Sequence, residues 1–236
     1  MSDILTMMRK EWKDSLFQGG WRSWIRPGIL VGITGIAWPL AGKAAWMSLS
    51  PLQMVVVLWV AFYVTISIVA DSIAGERERQ TLETLLASRL PDRAIVLGKI
   101  IPVVLYGWGV MLVGLLVGAS VYNLRYAHGR YLFYPADKLL FTAALGWVFG
   151  SFAACAGLLV SLKISTVRQA QLTLSVGTVL LGGAVIALLS ILPLEFLKDF
   201  ATDQILLMVL AVVALLDIAL LALAIRCFKR PLLISR

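Results

Sequence analysis

Long stretches without charge are the feature that most restricts the fold of this chain. Between Arg26 and Asp71 the only charged residue is Lys43, and similar apolar runs follow Lys99 and continue almost to the basic end of the chain. A helix crosses a bilayer with about 20 apolar residues. The first of these stretches is therefore too long for one crossing and suits two, which predicts an integral membrane protein built from α-helices.

The composition excludes a soluble domain and indicates the partners. Hydrophobic residues make up 60% of the chain and charged residues 14%, and the mean hydropathy is +0.91. So few charges cannot cover a globular surface. The net charge of +8 comes from short basic clusters between apolar runs, which are typical of loops that face anionic lipid. We therefore predict membrane lipid, and no nucleic acid, as a partner.

Turn residues and interface residues divide the apolar runs into six predicted spans. These cover about residues 28–46, 52–74, 101–122, 139–162, 170–192 and 204–226. Trp46, at the first break, suits the depth of the lipid headgroups. With the N-terminus inside, 16 of the 21 lysines and arginines fall on cytoplasmic segments, as the positive-inside rule requires. The predicted fold is an all-α, multi-pass protein of a cell membrane with both termini in the cytoplasm.

Two terminal segments flank the predicted six-span domain of residues 28–226. Residues 1–27 contain an amphipathic helix and lead into the first span; the apolar face of the helix comprises Ile4, Leu5, Met8, Trp12 and Leu16. Such a helix lies in the membrane interface, and we expect no soluble core for it to pack on. Charges begin at Asp3, too early for a cleavable signal peptide. Residues 227–236 form a basic cytoplasmic tail.

The most polar segment, residues 71–99, must emerge into water between the second and third spans. A short helix is predicted over about residues 76–90, because Leu82, Leu85 and Leu86 share one face. Pro91 ends that helix or starts the next one. Taken alone, the pattern fits a plain connecting loop equally well.

The motif GERERQTLETLL, followed by a short basic stretch and LGK, resembles the signature of ABC-2 type exporter permeases, the membrane subunits of ATP-driven exporters. The resemblance implies that the helix of residues 76–90 is a coupling helix that docks on a separate ATPase subunit. The implied docking residues are Glu76, Arg77, Glu78, Arg79, Thr81, Leu82, Glu83, Leu85 and Leu86. The family often has glycine before the threonine, where this chain has Gln80. The N-terminal helix is similar to the elbow helix of these permeases.

By this resemblance the chain is a permease and not an enzyme. Two copies, or one copy and a related permease, would form the translocation pathway above two ATPase subunits that hold ATP and magnesium, in a bacterial or archaeal cytoplasmic membrane. The residues agree that no cofactor site is expected in this chain. The nearest approach to a P-loop, from Gly35 to Lys43, has the wrong spacing and places Ala44 where Ser or Thr binds magnesium. With His128 as the sole histidine, no catalytic or metal-binding set is predicted.

Polar residues elsewhere supply three further candidates. Arg168, Gln169 and Gln171 form a second cytoplasmic contact or a simple turn. Asp71 is expected to orient the coupling helix. Asp217 lies deep in the sixth span, where a carboxylate costs about 2.5–3.5 kcal/mol. It either hydrogen-bonds a serine, threonine or tyrosine on a neighbouring helix, or lines a substrate or cation path. The alternative function is therefore an ion-coupled secondary transporter that uses Asp217.

Glycines spaced four residues apart occur in two of the predicted spans. Gly114 and Gly118 form one such pair, and Gly146 and Gly150 form another. Small residues at this spacing let two helices approach closely in a membrane. We therefore predict helix packing at these positions, with a substrate-facing role as the alternative.

Overall fold

Long apolar runs between polar breaks form helices along the chain, because a helix pairs every backbone N–H and C=O within one membrane-spanning segment. The computed structural model describes residues 2–17, 21–42, 44–81, 87, 90–126, 131–164, 166–191 and 203–228, and no strand occurs among them. Leu82, Glu83, Leu85, Leu86 and the tail beyond residue 228 lie outside these ranges. What the sequence predicts for those residues therefore stays a prediction.

Nine α-helices are described, and the second runs into the third through one π-helical segment. The helices are α1 (Ser2–Phe17), α2 (Trp21–Gly32), α3 (Trp38–Gly42), α4 (Ala44–Met47), α5 (Pro51–Glu78), α6 (Asp92–Tyr126), α7 (Ala136–Lys163), α8 (Val167–Ile191) and α9 (Asp203–Cys227). The π-helical segment is Ile33–Ala37.

Five stretches of the described chain are long and apolar enough to cross a membrane. They are Trp24–Gly42, Pro51–Glu78, Asp92–Tyr126, Ala136–Lys163 and Leu210–Cys227. The predicted fifth span coincides with α8, which has 25 residues but is not among the five. An all-helical, multi-pass membrane protein is thus confirmed, while the number of six spans and the cytoplasmic termini stay predictions.

Trp46, at the first predicted break, is buried inside the protein. The helix ends at Gly42, and Trp46 lies in α4 with no exposed surface. Its indole Nε1 donates to the Tyr134 hydroxyl at 3.0 Å, and that hydroxyl donates to the Leu115 carbonyl at 3.2 Å. Burial raises the pKa of Tyr134 to about 12, so the hydroxyl stays protonated. Trp46 is therefore packed inside the protein, where a buried partner satisfies the indole N–H, and its depth in the membrane stays a prediction.

The helix α5 lies at the centre and packs against α6, α7 and α8, while α9 packs against α7. Close packing occurs at the glycines. A Cβ on Gly114 would lie 2.8 Å from Thr34 Oγ1, and one on Gly146 would lie 2.6 Å from Met111 Sδ. The predicted packing role of these glycines is confirmed, because a side chain there would separate the helices.

The N-terminal helix α1 packs on the protein as well as presenting a free face. Met7 lies against Gly98 of α6, where an added Cβ would come within 2.6 Å of Met7 Cβ, and Glu11 is buried one turn later. Leu5 and Trp12 remain exposed. The helix α1 therefore packs on a spanning helix, α6, a contact that the sequence did not predict. Leu5 and Trp12 remain available for a membrane interface.

Candidate functional site: the charged end of the helix bundle

The helix α5 continues one turn beyond its predicted end and carries Glu76, Arg77 and Glu78. At the same end of the bundle α6 begins, α7 ends and α8 begins. We call this region, together with α1, the charged end. The first three predicted docking residues therefore belong to the last turn of a spanning helix rather than to a separate coupling helix.

Glu76 meets a buried lysine at this end. Lys99 Nζ of α6 lies 3.1 Å from Glu76 Oε1 and 2.8 Å from Glu11 Oε1 of α1. The Lys99 side chain is 1% exposed and that of Glu11 is 9% exposed. Lys10, which is largely exposed, approaches Glu76 Oε1 at 3.5 Å. Glu11, Glu76 and Lys99, which we call the Lys99 cluster, thus join three helices through charges withdrawn from water.

A buried cluster of charges is stable only when each charge has an oppositely charged partner. Withdrawing an ion from water costs several kcal/mol, and only well-placed opposite charges offset that cost. Glu76 Oε1 has two lysine neighbours, whereas Glu76 Oε2 is buried and has no hydrogen-bond partner among the described residues. Removing Lys99 would leave the two buried carboxylates without their shared cation, and loss of a partner from a buried pair costs about 3–5 kcal/mol.

The next two residues join α5 to the connection between α7 and α8. The Arg77 guanidinium donates to the carbonyl of Ile164 at 2.9 Å and to that of Leu162 at 3.4 Å. Glu78 Oε1 accepts the backbone N–H of Val167 at 2.9 Å, at the first residue of α8. A carboxylate is favourable there, because the first N–H groups of a helix have no partner within it.

Asp71 and Arg79 form an ion pair along the outside of α5. The Arg79 guanidinium lies 3.1 Å from Asp71 Oδ2, and both side chains are substantially exposed. Gly75 lies between them, and a Cβ there would collide with the Asp71 carboxylate. Exposed pairs of this kind contribute about 0–1 kcal/mol. The contact agrees with the predicted role of Asp71 in orienting the segment that follows α5.

The helix α5 ends in a defined capping arrangement. The N–H of Thr81 donates to the Glu76 carbonyl at 2.9 Å, and the N–H of Gln80 donates to the Arg77 carbonyl at 3.1 Å. This is the bond pattern of a Schellman motif, in which the residue directly after the C-cap has a left-handed backbone. The C-cap of α5 is Arg79, so that residue is Gln80. Gln80 has φ 56°, a conformation that favours glycine. The left-handed backbone is a physical reason for a glycine before the threonine.

The second predicted cytoplasmic contact divides between two places. Arg168 and Gln169 are exposed in the first turn of α8, beside the charged end, whereas Gln171 lines a cleft between α2, α5 and α8. The cleft has a volume of about 360 Å³. Its polar walls comprise Arg26, Tyr63, Ser67, Gln171 and Ser175, and its apolar walls comprise Ile29, Leu30 and Ile66. The sequence analysis missed this cleft, because its residues come from three distant segments and Tyr63 within an apolar run is the only local signal.

Asp217 lies on α9 beside α7. The Ser151 hydroxyl of α7 hydrogen-bonds the Asp217 carboxyl group, and Cys155 lies close to both. Asp217 Oδ1 is buried and has no partner within the described ranges. The Ser151–Asp217 hydrogen bond is the kind of contact that the structural alternative for Asp217 predicts. Across the described residues, no group of three metal-binding side chains comes together at this or any other place.

Comparisons with known proteins identify the family. The search of curated proteins returns no match. A family profile described as ABC-2 family transporter protein matches residues 48–225, from the turn before α5 to the last turns of α9. The match covers more than half of the chain, including the charged segment after α5 and four of the five stretches long enough to span a membrane. The chain therefore belongs to the ABC-2 family of transporters, as a permease that forms the membrane component.

Proposed function

We propose that this permease is driven by a separate ATPase subunit, which docks on the segment of residues 76–86 at the charged end. The family match is the observation that carries the proposal, because it includes this segment. ATP and magnesium would be bound by two copies of the ATPase, and this chain would supply the docking residues and the spans. The predicted contact also includes Leu82, Glu83, Leu85 and Leu86.

The bonds at the charged end support a mechanism for this coupling. Glu76 connects α5 to α1 and α6, and Arg77 and Glu78 connect it to α7 and α8. A displacement of the segment after α5 would therefore pull on five helices together. Closure of the ATPase subunits would tilt these helices as a rigid body and open the pathway on the far side.

The cleft between α2, α5 and α8 is our candidate for one side of that pathway. It combines a cationic group, Arg26, with tyrosine, serine and glutamine side chains and an apolar floor. Exposed apolar residues, among them Ile33 of the first spanning stretch and Val176 of α8, occur on the same helices. A second copy of the permease, or a related permease, would cover this face and complete the conduit.

Ion-coupled transport through Asp217 is the second candidate. The unpartnered Oδ1 atom of Asp217 favours it, since a buried carboxylate oxygen without a partner is costly. This function predicts that a pH or sodium gradient drives flux into vesicles without ATP, measured with a pH-sensitive dye or radioactive sodium. The ATP-driven function predicts no such flux, and it predicts a magnesium-dependent ATPase that is active with the permease.

The test is purification of the permease from its native membrane, with identification of any co-purifying chain that contains a P-loop. ATPase activity is then measured after reconstitution in nanodiscs. We expect Leu82→Asp and Leu85→Asp to reduce both association and permease-dependent ATPase activity at least tenfold. Leu124→Asp is the matched control, because Leu124 is 89% exposed at the opposite end of α6. Retention of the ATPase by both segment variants would rule out the coupling assignment.

A further inference from the structure

The Lys99 cluster joins α1 to the spans at the point where the docking segment begins. Glu11 belongs to α1, Lys99 to α6 and Glu76 to α5, and Glu76 is also the first of the predicted docking residues. We propose that this cluster is the joint that makes α1 follow the ends of α5 and α6, so that Lys99 and Glu11 are positioning residues for transport. The part of this proposal that concerns ATP rests on the proposed function.

Two contacts, one turn apart, attach α1 to α6. Met7 is 2% exposed and lies against Gly98, and Glu11 lies 2.8 Å from Lys99 Nζ. The opposite face of α1 exposes Leu5 and Trp12. Met7 also belongs to a buried apolar cluster that includes Ile73 of α5 and Ile95 of α6. The ionic contact adds to this packing, and it connects α1 to the end of α5 that carries Glu76.

The charges of the cluster explain why α1 would move with the spans rather than leave them. The Lys99 cluster carries two carboxylates and one ammonium group, and the half-exposed Lys10 beside Glu76 supplies a second positive charge. Lifting α1 away would remove the Glu11 carboxylate from the buried Lys99 ammonium. Breaking a buried pair is far more costly than losing an exposed one. A pull on Glu76 is thus passed through Lys99 to α1.

The first experiment measures hydrogen exchange of the backbone amides of the permease in nanodiscs. Glu11→Gln removes the link to α1 and leaves the Lys99–Glu76 pair intact. Lys99→Met removes both buried links, and Glu76→Gln removes the buried link to α5 together with the exposed contact of Lys10, while the Glu11–Lys99 pair remains. We expect exchange in residues 4–13 to rise at least about tenfold in the first two variants, because each loses a hydrogen bond between charged groups.

The pattern among variants separates a joint from a general loss of stability. Glu76→Gln should leave the exchange of α1 within about twofold of the unmodified protein. Lys13→Gln, which removes an exposed charge from the same helix, should leave it unchanged. A rise that spreads equally over α5, α6 and α7, or unchanged protection of α1 in Lys99→Met, would overturn the proposal.

The second experiment follows movement in the complex with the ATPase. Spin labels replace Leu5 of α1 and Leu223 of α9 in a chain that carries Cys155→Ala and Cys227→Ser. ATP with vanadate should change the distance between the labels, and Glu11→Gln should abolish that change. A second pair, at Thr81 and Leu223, should still move in Glu11→Gln.

The outcomes of the two experiments are distinguishable. If α1 moves as before in Glu11→Gln, the joint does not transmit motion and the proposal is overturned. If neither pair of labels responds to ATP and vanadate in the unmodified complex, the proposed function fails. In that case the exchange pattern still decides whether the cluster holds α1.

Discussion

Gln80 has a left-handed backbone at the end of α5, with φ 56°. In this conformation the Cβ of an L-residue lies too close to the following carbonyl oxygen, which costs about 1–2 kcal/mol. Gln80→Gly should therefore raise the free energy of unfolding by about 1 kcal/mol, measured as a higher melting temperature in detergent. Gln169→Gly is the control, because Gln169 is exposed within a helix and glycine there should destabilise by about 1 kcal/mol. Equal effects at both sites would contradict the capping geometry.

Tyr134 satisfies a buried indole at the other end of the molecule. Its hydroxyl accepts from Trp46 Nε1 and donates to the Leu115 carbonyl, so Tyr134→Phe leaves the buried indole N–H unpaired, whereas the Leu115 carbonyl keeps its bond within α6. We expect a loss of about 1–3 kcal/mol in the free energy of unfolding, measured by thermal or denaturant unfolding. Tyr131→Phe removes the same hydroxyl from a side chain that is 93% exposed and should be neutral. A neutral Tyr134→Phe would show that the pair contributes nothing.

Single residues mark the limit of what the sequence predicts. The serine contact of Asp217 was foreseen, because an intramembrane carboxylate needs a donor. Lys99 was counted as a cytoplasmic charge, although the structure buries it between two glutamates. Its partner Glu11 is 88 positions away, and no local pattern connects them. The burial of Trp46 was not predicted for the same reason, since its hydroxyl partner belongs to another segment.

At the scale of the helices, apolar runs located the spans but not their ends. The second span was predicted to stop at residue 74, and α5 reaches Glu78. A polar residue ends an apolar run, but it does not end a helix when its charge is paired, as Glu76 is with Lys99. The α1 helix was expected from its periodicity. The face of α1 that packs on the protein was not predicted. Met7 is apolar and Glu11 is charged, so no hydropathy pattern assigns them to the same face.

The glycines of α6 give a matched test of helix packing. A Cβ on Gly107 would collide with the Thr65 hydroxyl and lie 2.9 Å from the Ala61 carbonyl of α5, whereas nothing lies within 4 Å of Gly109. Gly107→Ala should force the two helices apart and lower stability by about 1–3 kcal/mol. Gly109→Ala should not, because its added methyl group has open space. Unfolding in detergent distinguishes them, and equal stabilities would contradict the close approach.

At the scale of the whole molecule, the antiparallel spans gather distant charges at one end and aromatic side chains at the other. Glu76, Arg77 and Glu78 meet Lys99 and the α7–α8 connection at the charged end, and Trp46 and Tyr134 pack at the opposite end. This separation agrees with a molecule whose charged end faces the cytoplasm, as the excess of lysine and arginine predicts. If residues at the charged end and at the aromatic end lie on opposite sides of the membrane, the orientation of the protein is established. If the residues that flank α8 also lie on opposite sides, α8 crosses the membrane.

Cysteine labelling tests that topology in a chain with Cys155→Ala and Cys227→Ser. Tyr131, exposed at the aromatic end, and Lys198, in the segment predicted to follow the fifth span, are replaced one at a time by cysteine. Both should react with a membrane-impermeant maleimide on intact cells, whereas Arg168→Cys should react only after permeabilisation. If Arg168→Cys and Lys198→Cys both react only after permeabilisation, both ends of α8 lie on the cytoplasmic side. In that case α8 does not cross the membrane. Labelling of Arg168→Cys on intact cells would show that the charged end faces the outside of the cell. A cytoplasmic ATPase could then not dock there, which would contradict the proposed function.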